Sequence, residues 1–129
     1  MPQPLSPTTS VRVRVPAKIN LTLKVGAPRP DGYHPLATVY QAVSLYDELL
    51  ADWAEPGRVS VTVTGEDARL VPLDDRNLAV RAARLLLSTY GPNDGLGAAM
   101  TITKAIPVSG GLAGGSADGA AALLACATL

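Results

Sequence analysis

From Met100 the sequence reads "MTITKAIPVSGGLAGGSADGAAALLACATL". An apolar, β-branched run meets a stretch, Gly110 to Gly115, in which four of six positions are glycine, and an alanine-rich run follows. This order leaves the backbone few options. Met100, Ile102 and Lys104 alternate with threonines, so they belong on one side of a strand. The glycines favour turning over continuing either a strand or a helix. The residues after Ser116 are strong helix formers apart from Gly119, which costs about 1 kcal/mol relative to alanine in the first helical turn. The segment therefore reads as strand, tight loop, helix, with Ser116 as the expected helix N-cap.

Such a loop has a chemistry of its own. Glycines let successive N–H groups turn into one concavity, and a helix N-terminus adds free donors and about half a positive charge. Together they suit an anion, most often phosphate. The loop is not a P-loop, since no Gly-Lys-Ser/Thr follows, and Leu112 breaks a strict GxGxxG pattern. On chemistry alone two readings stand: an anion site, or a flexible turn that binds nothing.

The rest of the chain supplies strands and one more helix. Val11, Val13 and Val15 alternate with arginines, and Leu21, Leu23 and Val25 alternate with Thr22 and Lys24, giving two strand segments separated by "PAKIN". "APRPDGYHP" is a loop by its prolines and Asp-Gly. "LATVYQAVSLYDEL" is a strand with a polar exit, and "RVSVTVTG" is another strand. "DDRNLAVRAARLLLSTYG" is a helix with Leu78, Ala82, Leu85 and Leu86 on one face, Asp74 or Asp75 as cap and Gly91 as stop. "PNDGLG" is a turn. Several strands, a helix, a strand and a helix make an α+β pattern, which argues against a regular dinucleotide-binding alternation. Residues 1–10 read as a disordered leader and residues 11–129 as one domain.

Charge and cysteine content bound the function. Eleven basic and eleven acidic residues cancel, so no basic excess invites nucleic acid or an anionic membrane surface. One cysteine, Cys126, allows no internal disulfide, and a reducing, cytoplasmic location is expected. Oligomeric state is not legible.

"PVSGGLAGGSADGAA", with "AKINL", "DGYH" and "DDRNLAVRAARLL" in order before it, resembles the GHMP kinase superfamily. Within it the blocks are most similar to the branch acting on a cytidine-diphosphate-linked sugar alcohol in non-mevalonate isoprenoid biosynthesis. The resemblance runs from about Val11 to the end. It implies the GHMP-kinase N-terminal domain, of the ribosomal protein S5 domain 2-like type, truncated here. It also implies ATP and Mg²⁺ as cofactors, phosphorylation of a 2-hydroxyl, and a small-molecule substrate.

Residue by residue, the resemblance assigns Lys18 as the catalytic cation beside the acceptor hydroxyl. Asn20 falls in the same substrate region, and Tyr33 and His34 at the cytidine end. Pro107, Gly110, Gly111, Leu112, Ala113, Gly114, Gly115 and Ser116 form the nucleotide loop, with Ser116 also a ligand for Mg²⁺. Asn77 and Lys104 fall near the adenosine. Read without the resemblance, Lys104 is a strand-end charge, Asn77 a first-turn helix residue and His34 a loop histidine. Ala113 and Ala117 stand where the pattern has glycine and a second serine. Members of the family are longer and carry a Gly-x-Asp-x-Pro block whose aspartate is the general base. That block is absent from these 129 residues, so the expectation is an N-terminal fragment with little activity alone. Another GHMP kinase, a non-catalytic nucleotide-binding module and an inert fragment are the alternatives.

Overall fold

The computed structural model describes residues 10–91, 96–108 and 111–129. Most of the expected leader, most of the "PNDGLG" turn and Gly110 of the loop lie outside them. Four strands, β1 (Val11–Val25), β2 (Leu36–Ala54), β3 (Val59–Gly65) and β4 (Gly97–Lys104), join two helices, α1 (Leu78–Tyr90) and α2 (Gly114–Thr128). A short 3-10 turn spans Ala68–Leu70. The strands form one sheet in the order β1-β2-β4-β3. β1/β2 and β2/β4 are antiparallel, whereas β3 and β4 run parallel. A parallel neighbour requires a crossover, and α1 provides it.

β1 is one strand, where the sequence suggested two. Register shifts at Pro16/Ala17 and Asn20/Thr22 absorb the "PAKIN" irregularity without breaking the ladder. Pro16 is tolerated because β1 is an edge strand. β2 likewise runs on past its expected polar exit, because Asp47, Leu49 and Ala51 all point inward. β2 pairs with β4 only from Glu48 to Ala54. The halves of β1 and β2 from Ala17 to Val25 and from Leu36 to Val43 therefore project as a two-stranded ribbon.

The core lies between the sheet and the two helices. Leu49, Ala51, Val61, Met100 and Ile102 from the strands meet Ala79, Val80, Ala83 and Leu87 of α1 and Ala121, Ala122, Ala125 and Cys126 of α2. Each large apolar side chain buried here contributes about 1.5–3 kcal/mol. Met100, Ile102 and Lys104 are buried on one side of β4, as their spacing predicted.

The expected face of α1 is right only in part: Ala82 and Leu86 pack against the core, but Leu78 and Leu85 do not. Leu85 and Leu78 are 67% and 41% exposed, and the smaller Ala79, Val80 and Ala83 face the core. α1 carries apolar residues on more than one side, so periodicity alone could not choose. Close packing chose the small ones. At Gly119 of α2 an added Cβ would stand 3.3 Å from Leu78 Cβ.

Candidate active site

The cap of α1 is Asn77, not Asp74 or Asp75. Its Oδ1 accepts from the Ala79 N–H at 2.9 Å while its Nδ2 donates to the Pro72 carbonyl at 2.9 Å. Asp74 and Asp75 instead pair with Arg76 and Arg84. The cap of α2 is Ala113, not Ser116. α2 begins at Gly114, so Ser116 sits inside the first turn and Gly119 in the second. Ala113 adopts φ 58°, a left-handed conformation that costs a non-glycine residue about 1–2 kcal/mol. Gly111 also has positive φ, 74°.

These residues surround a cavity of about 460 Å³, a size suited to a small ligand. Leu70, Val71, Pro72 and Val108 give it an apolar wall, and Gly111 with Ala113 to Ser116 a wall of backbone and one hydroxyl. Asn77, Lys104 and Pro107 also line it. Among the described residues the structure thus gathers the predicted nucleotide residues, Leu112 apart, around one concavity; Gly110 lies outside the described residues. At Gly115 an added Cβ would meet nothing within 4 Å, whereas at Gly114 it would lie 3.0 Å from both Ile106 Cγ2 and Lys104 Nζ. Gly114 serves close packing, and Gly115 leaves the approach open.

Lys18 reaches this loop from β1. Its Nζ donates to Asn20 Oδ1 at 2.7 Å and to the Gly111 carbonyl at 3.1 Å. Its own N–H donates to the Leu112 carbonyl at 3.2 Å. The ammonium lies 5.3 Å from the centre of the Tyr40 ring, within cation–π range. Asn20 Nδ2 donates in turn to Thr38 Oγ1 at 2.8 Å. Lys18 and Asn20 are a connected pair beside the loop but do not line the cavity itself.

Tyr33 and His34 stand apart, between the two strands of the ribbon. The Tyr33 side chain is exposed, and its N–H is held by Asp31 Oδ1 at 3.0 Å. His34 Nδ1 lies 3.0 Å from the Gly26 carbonyl. A carbonyl partner assigns the proton to Nδ1 and leaves Nε2 of the neutral ring as an acceptor.

Lys104 ends β4 but is not a solvent-facing charge. It is 4% exposed and bonded to Asp47 Oδ2 at 2.6 Å and Asp118 Oδ2 at 2.9 Å. Burial works against its charge, but the hydrogen bonds to Asp47 and Asp118 outweigh it and raise its pKa. Burial likewise opposes the charge on Asp47. Hydrogen bonds from Asp118, Lys104 and the N–H groups of Ile106 and Ala105 overcome it and hold this carboxyl below its usual range. Asp118 goes the other way. Burial, then its hydrogen bond with Asp47, push it up to about 7 against the pull of Lys104. Asp118 Oδ1 has no hydrogen-bond partner among the described residues.

Sequence reasoning missed Asp47 and Asp118. The one available signal was inward parity. Asp47 is in step with Leu49 and Ala51, and Asp118 lies one helical turn after Gly114.

Comparison with known proteins bears on the fold and the family. Residues 77–129 match the family model of the GHMP kinases N terminal domain. The chain is 58% identical over 120 residues to a 4-diphosphocytidyl-2-C-methyl-D-erythritol kinase of Streptomyces coelicolor, covering 93% of this chain and 39% of the relative. It is 50% identical over 123 residues to the protein of the same name from Cutibacterium acnes, covering 93% and 40%. A crystal structure of 4-(cytidine 5'-diphospho)-2C-methyl-D-erythritol kinase superposes with a TM-score of 0.66 at 38% identity, over 92% of this chain and 40% of that one. Homoserine kinase from Cytophaga hutchinsonii shares the fold alone, with a TM-score of 0.67 at 21% identity, over 98% of this chain and 37% of that one. The chain spans about two fifths of the length of the curated relatives it matches. A sheet of four strands with two helices, a glycine loop opening the second helix and a family match over residues 77–129 together give this chain the fold of the GHMP kinase N-terminal domain.

Proposed function

We propose that this chain supplies the phosphate cradle and the catalytic lysine of an ATP-dependent kinase. Its acceptor is the 2-hydroxyl of 4-diphosphocytidyl-2-C-methyl-D-erythritol, in non-mevalonate isoprenoid biosynthesis. The observation that carries the reading is the Lys18 ammonium, 3.1 Å from the Gly111 carbonyl. It joins the acceptor side to the loop. Names borne by relatives at 50–58% identity support the acceptor.

The cavity suits the nucleotide. The apolar wall at Leu70, Val71 and Pro72 fits a base, with Asn77 and Lys104 beside it. Gly111 and Gly114 to Ser116 would hold the phosphates through N–H groups at the start of α2. Among the described residues no three Asp, Glu, His or Cys side chains form a metal cluster. Mg²⁺ would therefore be held by the nucleotide's own phosphates with the Ser116 hydroxyl, and the bound Mg–ATP supplies the phosphoryl group. Lys18 favours loss of the acceptor proton and stabilises charge on the phosphoryl group as it transfers. Tyr33 offers a ring for cytosine to stack on, and His34 Nε2 an acceptor for its edge. No helix among the described residues is long and apolar enough to cross a membrane. The lone thiol of Cys126 fits a cytoplasmic setting.

The test is transfer of radiolabelled γ-phosphate from ATP by the native gene product, offered the cytidyl acceptor, homoserine or mevalonate. Label on the cytidyl acceptor alone is the expected result. Label on another alcohol would move the protein to a different GHMP kinase. Mg–ATP binding without transfer to any acceptor would make it a binding module, and no binding would sink the reading.

A further inference from the structure

One buried carboxylate holds the approach to the glycine segment directly and, through Lys104, the helix that follows it. Asp47 is fully buried at the point where β2 leaves its pairing with β4, one residue before the registered pair Glu48 and Thr103. Its Oδ1 accepts from the N–H groups of Ala105 and Ile106, at 2.8 and 2.9 Å. These are the two residues that lead from β4 toward the loop. Its Oδ2 accepts from Lys104 Nζ at 2.6 Å, and the same ammonium bonds Asp118 of α2 at 2.9 Å. The approach to the loop and the helix that follows it are thus tied to a single group on another strand.

We propose that Asp47 is a positioning residue for phosphate binding, setting the glycine loop and the start of α2 at the spacing an anion requires. The proposal rests on reading this loop as the nucleotide cradle. Asp47 does not line the cavity, so it acts through Lys104 and the backbone of residues 105 and 106. A loop rich in glycine has little stiffness of its own, and donors that must converge on one ligand lose their effect when displaced by about 1 Å. The ties to Asp47 remove that freedom before any ligand arrives. Its buried bonds are shielded from competing water, which keeps them strong.

Asp47→Asn separates the two functions of the carboxylate. The amide oxygen still accepts from Ala105 and Ile106, but its NH₂ faces the Lys104 ammonium, donor against donor. The tie between Asp47 and Lys104 is lost, so the Lys104–Asp118 pair is no longer held to β2, while the shape is kept. Leu49→Ala, two residues along on the same buried face, is the control for stability alone. Mg–ATP affinity of the native gene product carrying each substitution is measured by calorimetric titration beside thermal melts. D47N should bind about 10- to 100-fold more weakly, whereas L49A, destabilised at least as much, should keep wild-type affinity. Equal affinity of D47N and wild type overturns the proposal, as does an equal loss in L49A.

Should D47N fail to fold, amide exchange in the wild type decides. The Ala105 and Ile106 amides should be as protected without nucleotide as that of Ile102, and fast exchange at those two overturns the proposal. A wild-type chain that binds no Mg–ATP removes the nucleotide reading together with this one. Wild-type binding with an unaffected D47N removes this one alone.

Discussion

Replacing Asp118 by asparagine should stabilise the protein, most of all at neutral to alkaline pH. Asp118 is 3% exposed and titrates at about 7 in the fold, against 3.8 for an ordinary aspartate. Between these values the native state holds a proton that the unfolded chain has released. Native stability therefore falls as pH rises through this window and levels off above it. A rise of roughly 3 units corresponds to ~4 kcal/mol at full weight. Relaxation and water entry around a buried charge reduce the expected cost to about 1–3 kcal/mol. Asparagine stands in for the neutral carboxyl: its oxygen can accept from Lys104 as Oδ2 does, and it has no proton to lose. D118N should gain about 1–3 kcal/mol over wild type near pH 8.5, and the gain should shrink steadily below pH 7. Urea unfolding of both proteins at four pH values measures it. Other titrations, such as that of Asp74 beside Arg76, are common to both and cancel. A difference constant across the range would refute the reasoning, because it would mean that Asp118 has the same pKa folded and unfolded.

Three further substitutions probe the site. Asn77→Ala removes both the cap of α1 and the tie to Pro72. It should cost about 1–2 kcal/mol by urea unfolding. Gly114→Ala would gain about 1 kcal/mol of helix propensity. Its Cβ, however, would press on Ile106 and Lys104 at 3.0 Å. Thermal melts should show a net loss of about 1–3 kcal/mol. Lys18→Met breaks half-exposed hydrogen bonds, so stability should change by less than about 1 kcal/mol. Phosphoryl transfer by the native gene product should fall about 100-fold or more while Mg–ATP binding persists.

The strands and the loop-to-helix junction were legible because alternation and glycine content act locally. Val11 to Val15, Val59 to Val63 and Met100 to Lys104 carry period-2 patterns that one buried face explains. The continuity of β1 was not legible, since a proline inside a strand reads as a break unless the strand lies at an edge, and edge position is a property of the whole sheet. The α1 face failed in part, for a related reason. Leucines suggested a face, yet the room between α1, α2 and the sheet admitted Ala79, Val80 and Ala83. Both N-cap assignments missed by two or three residues because several polar or small residues compete locally. In the site, Lys18, Asn77 and the loop glycines were reached through motif resemblance. Asp47 was invisible because its partners, Lys104, Ala105 and Ile106, lie more than 50 positions away.

The ribbon of β1 and β2 beyond Ala17 and Val43 has a consequence for how this protein can change over time. Two strands without a third are marginal by themselves in water, and nearly every side chain along Ile19–Val25 and Leu36–Ala42 is exposed. The ribbon can therefore open locally while the sheet and helices stay folded. The residues proposed for the cytidine end ride on it, whereas the proposed phosphate cradle is anchored by the buried ion cluster in the cooperative core. Mutations that retune the acceptor then fall where they cost little global stability. Mutations that disturb the phosphate donor fall where they cost a great deal. A chain built this way can explore new acceptors while keeping one donor.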